Sequence, residues 1–210
     1  MHPIISQLGH NHPGLTPVLP DVARALDVLA GGFRSGGKLL LCGNGGSASD
    51  CDHIVGELMK SFLRPRPLAP ALRDALLTGP GKEGALLADS LQGGLPAVSL
   101  TGHPALALAL ANDVRADIVF AQQVLALGRP GDVVLGLSTS GNARNVINAF
   151  HTARALGLRS VLLTGASGGR LAPLADVAIR VPATTVVHIQ ELHLPVYHAL
   201  CAALEDLFFP

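Results

Sequence analysis

Two groups of side chains, far apart in the sequence, have the types needed for proton transfer or metal binding. His53 and Glu57 are four residues apart, a spacing that in a helix puts both on one face, about 40° apart. Near the other end, Gln190-Glu-Leu-His193 and His198 share a second helical stretch. A His/Glu pair with further nitrogen and oxygen donors suits zinc or a similar divalent ion. The same groups can also serve as general base and acid. Without partners, His53 and Glu57 would be an ordinary i,i+4 surface pair worth about 0.2–0.5 kcal/mol. On the second helix, Glu191 and His198 are seven apart and nearly eclipsed, whereas Gln190 and His198 diverge by about 80°. Pro195 removes a helical hydrogen bond between them, so spacing does not choose among Gln190, Glu191 and His193. No HExxH occurs, and a zinc-protease reading has no support. His10, His12, His103, His151 and His188 have no partner pattern and read as loop or surface residues.

Two loops are suited to an anion. Ser138-Thr-Ser-Gly-Asn142 follows an apolar run and precedes a helical pattern. That position supplies free backbone N–H groups, the positive end of a helix dipole and three consecutive hydroxyls. Each dipole contact contributes about 0.3–1 kcal/mol, so several together hold a phosphate without a lysine; taken singly, Ser140 or Asn142 is equally a helix cap. Gly43-Asn-Gly-Gly-Ser47 has the same placement, with glycines that let a ligand approach closely. It is neither a Walker motif nor a GxGxxG fingerprint. Two such loops favour a phosphorylated small molecule over a nucleotide.

The elements that must position these residues follow from the apolar pattern. Runs 38–42, 132–137 and 159–164 each lead into a Gly/Ser turn, and 96–100 and 177–181 are two further strands. They are apolar on both faces, as buried parallel strands are. Helical patterns cover 18–34, 47–62, 114–127, 142–156 and 185–208. Strand, loop and helix in alternation predict a parallel sheet with helices on both faces, and ligands at the carboxyl ends of the strands. Segment 64–94 opens with Arg64-Pro-Arg-Pro, holds two short helical patterns and closes with Gly93-Gly94. It reads as a helical insertion in a single domain spanning 1–210 that begins with a helical segment, 1–36.

Composition narrows the partners. The chain has 210 residues, 49% hydrophobic and only 14% charged, enough to bury a full core and too apolar for disorder. Fifteen Lys and Arg balance fifteen Asp and Glu, without the basic excess expected of a nucleic-acid or anionic-membrane binder. Cys42, Cys51 and Cys201 are odd in number and lack CxxC spacing, which fits a reducing compartment. The opening MHPIISQLGHNHPG lacks the basic start and apolar stretch of a signal peptide. The uncharged stretch 90–112 is interrupted by Gly93, Gly94, Pro96, Gly102, His103 and Pro104, so no membrane span is expected and a cytoplasmic location is.

These residues, taken together, resemble the sugar isomerase (SIS) domain family, specifically its phosphoheptose isomerases. The resemblance runs from about Val22 to Phe209. It rests on 43–50 (GNGGSASD), His53 with Glu57, Asn112-Asp113, 137–142 (LSTSGN), 163–165 (LTG), 180–182 (RVP), and 189–193 (IQELH) through His198. It implies a flavodoxin-like three-layer αβα sandwich with a five-stranded parallel sheet, and a homotetramer with active sites between subunits. It also implies zinc held by His53, Glu57, Gln190 and His198, phosphate on Ser138, Thr139 and Ser140, and sugar contacts from Asn44, Gly45, Gly46, Ser47, Glu57, Asn112, Asp113 and Gln190. The implied reaction turns sedoheptulose 7-phosphate into D-glycero-D-manno-heptose 7-phosphate through an enediol, with Glu57 as base and His198 as acid/base. Three positions depart from the family pattern. Ala143 stands where the phosphate loop usually has another Ser. Ser61 replaces a basic residue for which Lys60, Arg64 or Arg66 is the available substitute. Segment 64–94 is longer than in the shortest members. The alternatives are a non-catalytic SIS-domain adaptor or sugar-phosphate sensor, which would need neither His-bearing helix pair, and an isomerase of another ketose phosphate.

Overall fold

The structure, a computed structural model, describes residues 1–79 and 81–210. The runs apolar on both faces form the strands β1 (Leu39–Gly43), β2 (Ala97–Ser99), β3 (Val133–Ser138), β4 (Arg159–Thr164) and β5 (Val177–Arg180). All pair in parallel in the order β2-β1-β3-β4-β5. The described helices are α1 (Pro3–Asn11), α2 (Leu19–Arg34), α3 (Gly46–Met59), α4 (Pro70–Thr78), α5 (Lys82–Ser90), α6 (Pro104–Asp113), α7 (Val119–Leu127), α8 (Arg144–Ala155) and α9 (Val186–Phe208).

Successive strand residues point to opposite faces, and each face has its own core. Leu39, Leu41, Leu135, Leu137, Val161 and Leu163 pack with buried residues of α1, α2, α3 and α9. Leu40, Cys42, Val134 and Leu162 pack with those of α7 and α8. The expected flavodoxin-like three-layer sandwich is therefore present. Strand order reverses between β1 and β3, and the crevice at such a switch point is where doubly wound sheets bind ligands. Gly43-to-Ser47 and Ser138-to-Asn142 are the loops that leave those two strands.

Two local expectations change. Helix α3 stops at Met59 rather than at residue 62, and the pattern over 114–127 divides into a 3₁₀ turn, Ala116–Ile118, followed by α7. Helix α6 has no counterpart among the helical patterns read from sequence. Its alternating Ala and Leu have the period of a strand, but both are among the best helix formers, and Pro104 occupies the helix start, where a missing N–H costs nothing. Segment 64–94 leaves and rejoins the body at one neck: Gly93 N–H donates to Arg66 O and Leu95 N–H to Leu58 O, both at 2.8 Å. Beyond the neck, α4 and α5 form a hairpin held by Arg73, which reaches Ala88 O and Asp89.

Candidate active site

Helices α3 and α9 run side by side in the same direction. Gly46 lies against Gln190, His53 against Tyr197 and His198, and the residues just past α3 against Glu205. At the first of these contacts glycine lets the Gln190 amide approach closely, since a Cβ at residue 46 would lie 2.6 Å from Gln190 Nε2 and displace it. Although Pro195 lies inside α9, the helix is continuous from Val186 to Phe208.

Around His53 the sequence-separated groups meet. His53 Nε2 is 3.3 Å from Glu57 Oε1 and 3.4 Å from His198 Nε2. Lys60 Nζ lies 3.5 Å from the other Glu57 oxygen, whereas Arg64 pairs with Asp206 and Arg66 with Glu205. Of the three substitutes for the basic residue absent at Ser61, only Lys60 therefore faces the Glu57 carboxylate. Burial, with the neighbouring His53, lowers the His198 pKa, and Glu57 opposes the shift. Among the described residues no three His, Cys, Asp or Glu side chains already close around one point as a metal shell. The structure provides donors of suitable type in touching pairs.

Gln190 is at the Gly46 end of α9, roughly 12 Å along the helix axis from His198. Glu191 is exposed, and His193 is turned into the protein interior, fully buried, with neither ring nitrogen hydrogen-bonded. Of the three residues that spacing left open, Gln190 is thus the one beside the glycine loop. Burial, only partly opposed by the nearby Thr164 backbone, lowers the His193 pKa from 6.5 to about 4. The folded chain keeps this ring neutral while the unfolded chain protonates it below pH 6.5, so stability is lost as pH falls from 6.5 towards 4. Between pH 7 and pH 5 the wild type should lose about 2 kcal/mol more than a His193→Leu variant, measured by urea unfolding at the two pH values.

The second loop opens onto a cleft of about 240 Å³ lined by Thr139, Ser140, Asn142, Ser167 and Thr184, among others, and by no Lys or Arg. Gly141, at φ +67°, turns the loop. Asn142 N–H donates to Ser140 Oγ, and Asn142 Oδ1 accepts from Arg170 N–H. Ser138 is buried at the strand end, and its carbonyl accepts from Thr164 Oγ1 at 2.6 Å. A reciprocal amide pair, Asn44 with Asn145, at 3.0 and 2.8 Å, ties the first loop to the first turn of α8, the helix that follows the second loop. Asn112 and Asp113 are exposed at the end of α6, where Asn112 donates to Asp113; neither bonds to either loop. Another cleft, about 580 Å³, is lined by Arg115, Arg144, His151 and Arg170 among others and contains none of the paired groups around His53.

Sequence reasoning missed Asp50 and Tyr197. Tyr197 Oη is 3.1 Å from both Asp50 Oδ1 and His53 Nδ1. The signal was available: Asp50, His53 and Glu57 fall at i, i+3 and i+7, one stripe of a helix, and Tyr197 precedes His198. It also missed Ser167 and Thr184, which are far from the phosphate loop in sequence.

Comparison with known proteins agrees with this arrangement. The model of the family described as "SIS domain" matches residues 97–203, about half of the chain. A phosphoheptose isomerase from Rhodospirillum rubrum is 40% identical over 187 residues, covering 89% of this chain and 86% of the relative. One from Roseiflexus sp. is 42% identical over 177 residues, covering 84% and 77%. The solved structure of phosphoheptose isomerase from Neisseria gonorrhoeae superposes with a TM-score of 0.74 at 30% identity, covering 96% of this chain and 93% of that one. With the 2-1-3-4-5 sheet, the two loops at its switch point and these whole-length matches, the chain belongs to the SIS-domain family and, within it, to the phosphoheptose isomerases.

Proposed function

We propose that this protein interconverts sedoheptulose 7-phosphate and D-glycero-D-manno-heptose 7-phosphate through an enediol. The observation that carries this reading is the meeting of Glu57, His53 and His198 on two helices beside the switch-point loops, in a chain 40% identical to phosphoheptose isomerases over most of its length. The phosphate sits on Ser138, Thr139 and Ser140, held by hydroxyls and amides at a helix start rather than by a cation. Asn44, Gly45, Gly46, Ser47 and Gln190 line the sugar, and Asn112 and Asp113 join them at its rim. The Glu57 carboxylate takes the C1 proton of the ketose and returns it to C2. His198, its pKa lowered by burial and by His53, moves the compensating proton from O1 to O2.

His53, Glu57, Gln190 and His198 fit zinc by donor type: two imidazoles, a carboxylate and an amide oxygen. When bound there, the ion supplies polarisation of the sugar carbonyl. Because Gln190 and His198 are two turns apart on one helix, the reading places them in sites shared between subunits of a homotetramer. Exposed apolar side chains on α9 (Val186, Val187, Leu194) and α6 (Leu106, Leu108) support an assembly that covers them. No described helix is long and apolar enough to cross a membrane, and all three cysteines are free and buried, which supports a cytoplasmic setting.

The test is incubation of metal-replete protein with sedoheptulose 7-phosphate in deuterium oxide, read by proton NMR and mass spectrometry. The expected result is an aldoheptose phosphate labelled at C2. Label without that aldose would shift the reading to another sugar phosphate. Neither label nor product, with the sugar phosphate still bound, would favour a sensor.

A further inference from the structure

Tyr197 is the only tyrosine in the chain, and it is 1% exposed. Its hydroxyl has two partners at equal distance, Asp50 Oδ1 and His53 Nδ1, each 3.1 Å away. A phenol has one proton to give, and an ionised carboxylate can only accept. The proton therefore goes to Asp50 in a charge-assisted hydrogen bond, leaving the phenol oxygen to accept from His53. That requires the hydrogen of a neutral His53 to be on Nδ1 and leaves Nε2 with a bare lone pair. Nε2 is the nitrogen that faces Glu57 Oε1 and His198 Nε2.

The opposite tautomer, with Nε2–H directed at Glu57, would turn the phenol proton to Nδ1 and set the lone pairs of the phenol oxygen against the Asp50 carboxylate at the buried end of the chain of groups. In the arrangement argued here, the facing acceptors are instead Nε2 and Glu57 Oε1, on the side where the His53 side chain is 41% exposed. Water or a cation can separate them there. A buried tyrosine needs one hydrogen-bond partner, and Asp50 alone would satisfy it; the imidazole nitrogen at the same distance is the additional feature.

We propose that Asp50 and Tyr197 are positioning residues that hold His53 in its Nδ1–H tautomer, presenting Nε2 as an electron-pair donor to the space shared with Glu57 and His198. Outer groups of this kind fix the ring orientation and tautomer of metal-binding histidines, and their removal typically weakens metal affinity about 10–100-fold.

The experiment uses the full-length wild type, Tyr197→Phe, which keeps the ring, and Asp50→Ala, which removes the competing acceptor and frees the Tyr197 proton for Nδ1. Long-range ¹H–¹⁵N NMR of the metal-free proteins at pH 9, where an imidazole is neutral, reads the His53 tautomer. Competition with a chromophoric chelator reads zinc affinity. The wild type should be mainly Nδ1–H, both variants should shift towards Nε2–H, and their zinc affinity should fall about 10–100-fold. A wild type that is mainly Nε2–H, or variants with an unchanged tautomer, would overturn the proposal even if affinity fell. The zinc arm rests on the metal reading above, whereas the tautomer arm does not. A tautomer shift in proteins that bind no zinc would uphold the relay and refute the metal reading.

Discussion

Replacing Glu57 by Gln should lower kcat by about 10²–10⁴-fold, the contribution expected of a general base, while sugar phosphate still binds. The amide keeps the size and shape of the carboxylate but cannot take a proton. The Glu57 side chain, 15% exposed, contacts His53 and Lys60, and the amide can keep both contacts. In the proposed reading the phosphate is held by the loop after β3, to which Glu57 makes no hydrogen bond, and KM should therefore change much less than kcat. If Glu57 is also a zinc ligand, the variant has two possible defects, and an added-metal series separates them. Activity that stays low at saturating zinc assigns the proton step to Glu57. Full recovery with excess zinc would make it a ligand only, and normal activity without added metal would remove it from both roles. The same samples in deuterium oxide should show no label at C2, since the enediol no longer forms.

The legibility of this site in the sequence follows the range of the interactions. The sheet could be read because strands buried on both faces are apolar without alternation, as in Leu39 to Cys42, and because the three central ones end in a Gly/Ser turn. His53 with Glu57 could be read because four residues bring two side chains onto one helix face. The choice among Gln190, Glu191 and His193 could not, because it depends on how α9 is rotated against α3 and the sheet. His193, polar by type, occupies a core position, and no local pattern distinguishes it from a ligand. Helix α6 was missed for the opposite reason: its period is that of a strand, and helix propensity together with a proline start decided the outcome. Arg66 was one of three interchangeable candidates beside Ser61 until the fold brought Glu205 to it from 139 residues away.

That pair gives the second large effect, on stability. Arg66 and Glu205 have side chains 0% and 1% exposed, with Arg66 Nε 2.7 Å from Glu205 Oε1. The two Glu205 oxygens also accept the N–H groups of Phe62 and Leu63, at 2.9 and 2.8 Å. The remaining guanidinium nitrogens donate to Leu58 O and Glu57 O at 2.7 and 2.9 Å, carbonyls in the last turn of α3 that the helix leaves without internal partners. The guanidinium also lies 4.8 Å from the Phe209 ring centroid. Removing only Arg66 leaves a buried carboxylate without its counter-charge and Glu57 O without this donor, while Leu58 O keeps only the Leu95 N–H. Arg66→Met should therefore lose about 3–5 kcal/mol of unfolding free energy at pH 7, measured by urea denaturation. Arg66→Met/Glu205→Met should lose less than the sum of the single variants, because the second change removes the stranded charge.

The pH dependence has a definite sign. Burial alone would raise the Glu205 pKa, but the two amides and Arg66 outweigh it and hold the group below its ordinary 4.5. Its contribution is present above the unfolded-state value and is lost as pH falls through the lowered folded one. The excess stability of wild type over Arg66→Met should accordingly shrink as pH falls, beginning where the stranded Glu205 carboxylate of the variant takes up a proton and ending where the wild-type group does. Because Arg66 binds the carbonyl of Glu57 itself, the same variant asks whether this clamp also positions the base. A fall in kcat in the folded variant, at a temperature well below its unfolding, would make Arg66 a positioning residue. Unchanged kcat with the predicted loss of stability would confine the clamp to holding α3, α9 and the neck of segment 64–94 together.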